Sequence, residues 1–245
     1  YLLNFITEII EKYIHNFYGY GNLNSNYWFI SLEEGEGNSV EETKKRLEVW
    51  EKRGGRSIEE CKEFHIEFGK TKWFIYHPAT QPVWRRYIRF YHYLINDKNF
   101  INSSEQNEII RKYQRDKFGK LDGEFSILEL RPLPAPNVVT WKYGNISNLS
   151  YLNNRETYKD YIDNFRIEKI KTMIEKHRPK NIFFFGTSEK DKWKQIVQKP
   201  IKKNTELDFY FSNNELSEFY ILKHTVSKGT TNKYFENVAQ FIYKK

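Results

Sequence analysis

The chain has little with which to cross-link itself. Its 245 residues include one cysteine, Cys61. That excludes a disulfide framework, and it excludes a Cys-ligated zinc site or an iron–sulfur cluster within one chain. A reducing, cytoplasmic compartment is expected, and neither a metal nor another cofactor is called for. No apolar run approaches the ~18 residues of a membrane span. The opening YLLNFITEIIEKYI carries acidic residues that a signal peptide lacks, so neither membrane insertion nor secretion is expected. No Pro/Gly/Ser-rich stretch, internal repeat or low-complexity tract divides the chain, and residues 1–245 read as a single, monomeric domain. Gly-x-Gly-x-x-Gly and Gly-Lys-Ser/Thr are also missing. A nucleotide-binding or sugar-processing α/β enzyme therefore has only SLEEGEG to offer as a phosphate loop, and its two glutamates would repel phosphate.

What is abundant is basic charge and aromatic rings. The 40 Lys and Arg against 32 Asp and Glu leave a net +8 and a pI near 9.2. That balance attracts a polyanion such as nucleic acid, although ordinary soluble proteins also carry it. The 18 Tyr, 19 Phe and 6 Trp exceed what a core of this size needs. Rings interleaved with cations suit stacking on bases beside a phosphate-tracking groove, and equally suit a Tyr- and Phe-rich core.

Apolar periodicity predicts a helix over 2–17, followed by a turn-rich GYGNLNSN. NYWFISL reads as a strand that ends in a glycine loop before the helix SVEETKKRLEVWEKR, with Ser39 and Glu42 spaced as a capping box and Gly54-Gly55 at its end. Residues 56–124 read as an inserted or decorating region that holds KWFIYHPATQP and the aromatic-basic helix VWRRYIRFYHYLI. GEFSILELRPLPAPN is a second strand that leaves the sheet at its prolines. A long helix closed by Pro179, the strand NIFFFG, the helix EKDKWKQIV, the strand SEFYILKH and a terminal helix complete the chain. Strands alternating with helices predict an α/β fold of three layers, α/β/α, around a central, mainly parallel four-stranded sheet. Chemistry is then expected in the loops beyond the carboxyl ends of the strands.

Three such loops concentrate polar residues: 31–37, 128–137 and 222–230. In the first, Glu33 and Glu34 precede Gly35 and Gly37, so a carboxylate can meet a closely approaching ligand and orient a water; the bland reading is an acidic turn at a helix start. In the second, Glu129 sits inside an apolar strand, where an unpaired charge is costly, so it faces a site or an arginine such as Arg131. Asn137 closes that loop. In the third, His224 follows an apolar strand and Ser227, Lys228 and Gly229 offer groups that suit a phosphate or oxyanion; the bland reading is a histidine satisfied by a backbone carbonyl.

The order and placement of these loops resemble the uracil-DNA glycosylase superfamily. In several branches its first loop reads Gly-x-Asn-Pro-Gly or Gly-Gln-Asp-Pro, and Ser31-Leu32-Glu33-Glu34-Gly35 puts Glu33 at the water-positioning place. Glu129-Leu130-Arg131-Pro132-Leu133 resembles the Asn-His-Cys-Pro-Leu segment, with Glu at the base-reading position. His224-Thr225-Val226-Ser227 resembles the His-Pro-Ser loop, with Thr225 in place of proline. The resemblance covers residues 26–242 except most of 56–124. It implies a DNA partner, a uracil-DNA glycosylase-like fold and metal-free hydrolysis of an N-glycosidic bond, with His224 stabilising the departing base.

Glu129 in place of Asn is an ionised carboxylate that only accepts, which points to an exocyclic amine and hence to a modified cytosine, hydroxymethylated or glucosylated, as in phage DNA. Uracil in base excision repair and a catalytically inactive DNA-binding member of the fold are the alternatives. Tyr76, His77 and Trp84 are further candidates for the base pocket, while Trp73 and Phe74 read as core. Arg85, Arg86 and Arg89, with Lys228 and Lys233, are candidates for tracking phosphates, against a solvated helix face.

Overall fold

The stretches YWFIS, FSILE, NIFFF and EFYIL are apolar at almost every position, which demands cover on both faces of the sheet they form. A computed structural model describes residues 2–35, 39–137 and 139–245, the side chains of residues 2 and 3 excepted. In chain order these form α1 (Leu2–Asn16), β1 (Gly19–Gly21), β2 (Tyr27–Ser31), α2 (Val40–Lys52), β3 (Ile58–Glu59), α3 (Cys61–Glu67), α4 (Pro82–Leu94), α5 (Lys98–Ile101), α6 (Gln106–Asp116), β4 (Phe125–Glu129), α7 (Arg155–His177), β5 (Asn181–Phe185), α8 (Lys190–Val197), β6 (Lys202–Asn204), β7 (Phe209–Asn213), β8 (Glu218–Leu222) and α9 (Asn232–Lys244).

The sheet corrects the expectation of four strands. It has eight, in the order β3-β1-β4-β2-β5-β8-β7-β6, and is mixed. The four strands read from the sequence lie side by side at its centre, β4-β2-β5-β8, all parallel. Four further strands flank them. β1 runs antiparallel to β4 and carries β3, while β7 and β6 continue antiparallel from β8. Alternate strand residues enter opposite cores, as the two-residue period of a strand requires. Phe29, Ile127, Phe183 and Phe185 pack with α1, α2, α4 and α9. Trp28, Ile30, Leu128, Ile182 and Phe184 pack with Ile167, Ile170 and Ile174 of α7 and Trp193 of α8.

Residues 56–124 do more than decorate. Trp84, Tyr87, Ile88 and Phe90 of α4 belong to the larger core, and Phe90 meets Phe29, Phe183 and Phe235. Beyond the sheet, the first two strand-end loops are laced together by backbone: the N–H groups of Leu130, Arg131 and Ala135 donate to the carbonyls of Ser31, Leu32 and Glu34 at 2.8, 2.7 and 3.0 Å. The Ser39 hydroxyl accepts from the Glu42 N–H at 3.0 Å and starts α2 as the sequence predicts. Among the described residues, no helix is long and apolar enough to cross a membrane.

Candidate functional site

The three strand-end loops open on one cavity of about 430 Å³, within the ~300–1,000 Å³ span of small-molecule sites. Glu33, Glu34 and Gly35 line it from the loop after β2, Glu129 and Asn137 from β4 and its loop, and His224, Val226 and Ser227 from the loop after β8. Val83, Trp84 and Tyr87 close it from α4, with Gln81 at that helix's start and with Tyr20 and Ser188. Gly37 lies outside the described residues.

Each carboxyl has a different environment. Glu33 pairs with Arg155, the first residue of α7, through one oxygen. Its Oε2 is buried without a hydrogen-bond partner among the described residues. Glu34 pairs at 2.7 Å with Arg46, which is buried and also donates to the hydroxyls of Tyr13 and Tyr20 at 3.0 and 2.7 Å. Glu129 is only 5% exposed, and its Oε2 likewise has no hydrogen-bond partner among the described residues. Burial first, and then the Glu34 carboxyl, push its pKa well above the ordinary 4.5, against the pull of Arg46 and Arg166. Burial thus favours the protonated, neutral form of Glu129 over the ionised acceptor expected from the sequence. The proposed partner Arg131 is engaged elsewhere, in a bidentate pair with Asp163 at 2.8 and 2.7 Å. Arg166, fully buried, holds this corner of the backbone by donating to the carbonyls of Glu129, Leu130 and Phe17.

In the third loop, the Val226 N–H donates to His224 Nδ1 at 3.4 Å, which leaves the proton of a neutral imidazole on Nε2. Burial, and after it the nearby Arg86 guanidinium, hold His224 below the ordinary 6.5. Ser227 lines the cavity, but its hydroxyl donates at 3.0 Å to the His224 carbonyl and sits 2.6 Å from that of Thr230, so it serves the turn first. Asn137 Oδ1 accepts from the N–H groups of Val139 and Thr140, which leaves its amide as the donor toward the site.

Other candidates fall outside. Tyr76 and His77 are exposed and line a separate cavity with Glu105, Glu108, Lys112 and Arg115. Neither lines the cavity that Glu33, Glu129 and His224 share. Trp84 does line the main cavity, while packing on His65 and Phe118. Arg86 donates to the Thr225 carbonyl, and Arg89 is buried against Gln106 and Glu236. Arg89 is therefore not on a solvated face, whereas Arg86 stays partly exposed. Arg85 is half-buried, and Lys228 and Lys233 are exposed.

Sequence reasoning missed Tyr87, whose buried hydroxyl lies beside the Glu129 carboxyl and the Ser31 hydroxyl. Its position three residues after Trp84 on α4 was the available signal. Arg46 and Arg155 were legible only as helix-surface cations. Among the described residues, no group of three or more His, Cys, Asp or Glu is placed to hold a metal ion. Comparison with family models, curated proteins and solved structures finds no match to this chain.

Proposed function

We propose that this chain is a monofunctional DNA glycosylase of the uracil-DNA glycosylase type, acting in repair or in defence against phage DNA. The observation that carries the reading is the convergence of Glu33, Glu129 and His224 on one cavity large enough for an unstacked nucleoside. In the reaction, the unpartnered Glu33 Oε2 accepts a proton from the attacking water as its oxygen bonds to the sugar C1′. The C1′–N bond breaks with its electron pair going to the base. The Nε2–H of neutral His224 stabilises the charge that gathers there. Free base and an abasic sugar result.

A neutral Glu129 offers one donor and one acceptor. It matches the N3–H and O4 edge of uracil or, turned over, the N3 and N4–H edge of cytosine, so it selects a pyrimidine edge and not cytosine alone. Gln81, Val83 and Trp84 line the same cavity and would enclose the substituent of a modified base such as hydroxymethylated or glucosylated cytosine; uracil is the alternative. A DNA-binding member of the fold that does not cleave is a second reading, favoured by the Arg155 contact that occupies one Glu33 oxygen.

Oligonucleotides bearing uracil, hypoxanthine, 5-hydroxymethylcytosine or its glucosylated form, incubated with the protein and then treated with alkali, break wherever a base has been released. Glu33→Ala is expected to lower breakage by about 10²-fold or more with DNA binding intact. Full activity of Glu33→Ala removes Glu33 from the mechanism, and no breakage on any oligonucleotide favours the non-cleaving reading.

A further inference from the structure

The charged groups around His224 are unequal. Across the cavity, Glu33 and Glu34 are each matched by an arginine, and burial favours the protonated form of Glu129. Lys223, beside it in the chain, pairs with Asp208 at 3.0 Å, and Lys228 is in solvent. Arg86 differs. It reaches from α4 to the His224–Ser227 turn and donates to the carbonyl of buried Thr225. Its guanidinium lies 5.8 Å from the Phe235 ring of α9. No carboxylate pairs with it among the described residues.

We propose that Arg86 is a positioning residue: by gripping the Thr225 carbonyl it fixes the turn that presents His224, and it sets an uncompensated positive charge beside the imidazole. The turn is closed by the Ser227 N–H on the His224 carbonyl at 3.2 Å, while the Val226 N–H fixes Nδ1, so an anchored Thr225 carbonyl orients both. The adjacent cation disfavours imidazolium and thereby preserves the Val226 N–H to Nδ1 bond, which a second ring proton would break. Only the purpose of this arrangement rests on the glycosylase reading.

The test is the titration of His224, followed by NMR on the full chain without DNA and assigned by comparison with His224→Asn. Removing the charge in Arg86→Gln is expected to raise the His224 pKa by about half a unit or more, with Arg86→Lys returning it toward wild type. In the wild-type protein, where folding is not in question, raising salt should also raise that pKa by screening the guanidinium. The salt slope of DNA binding should be unchanged in Arg86→Gln. A wild-type His224 pKa insensitive to salt, an unaltered titration in folded Arg86→Gln, or a DNA-binding slope that falls by about one as for a lost phosphate contact, overturns the assignment. A chain that releases no base can still pass or fail this titration, so the two readings fail separately.

Discussion

Burial of a lone carboxyl makes its proton worth keeping, and Glu129 illustrates what that does to recognition. The ionised form would lose its hydration without a paired cation, since Arg131 is spent on Asp163 and Arg166 on backbone carbonyls. A group whose folded pKa lies above its unfolded value contributes most below the unfolded pKa, here near 4.5, and costs stability as pH rises toward the folded value. Glu129→Gln, neutral at every pH, should therefore be more stable than wild type at pH 8. The gain should shrink toward pH 4.5, as thermal unfolding across that range will show. The amide also keeps a donor and an acceptor, so base release should stay within about tenfold of wild type. A less stable Glu129→Gln at pH 8 contradicts a neutral Glu129. Its position at a strand end was readable from the sequence. Its protonation was not, because that depends on the absence of a cation only folding can arrange.

At the scale of elements, the strands that were legible are those buried on both faces, whose apolar runs announce them. The edge strands hid for separate reasons. GYG reads as a turn, yet it is β1, pressed against β4 so closely that a Cβ on Gly19 would stand 2.1 Å from the Ile127 carbonyl oxygen. Gly19 also has φ +143, so a side chain there is strained twice over. Gly19→Ala should cost at least ~3 kcal/mol, measured by urea unfolding; a loss under 1 kcal/mol (~1 by the same yardstick) would mean that β1 does not pair as described. β3 spans two residues and β6 is the polar KKN, neither long enough to show a two-residue period. α4 was legible as a helix but not as to its faces. VWRRYIRFYHYL is aromatic or basic nearly all round, so only packing reveals that Tyr87 and Trp84 face the cavity, that Arg86 reaches the Thr225 carbonyl and that Arg89 turns inward.

Across the whole molecule, a parallel centre gathers three distant loops at one sheet edge, and that could be anticipated from the alternation of strands and helices. Residues 31–35, 129–137 and 224–227 share a cavity because β2, β4 and β8 point the same way. The displaced candidates, Tyr76 and His77, come from the stretch that the strand logic does not govern. The net +8 would attract a polyanion, but Arg86 is engaged by the Thr225 carbonyl and Arg89 is buried against Gln106 and Glu236, so charge alone does not locate a binding surface. The most direct measurement is mass spectrometry of the small-molecule products from modified DNA incubated with the protein in ¹⁸O-water. Hydrolysis supported by Glu33 predicts free pyrimidine base in step with abasic sites, each abasic sugar carrying one ¹⁸O from its first formation. Bound DNA with no free base, under conditions where every substituted oligonucleotide is engaged, contradicts it.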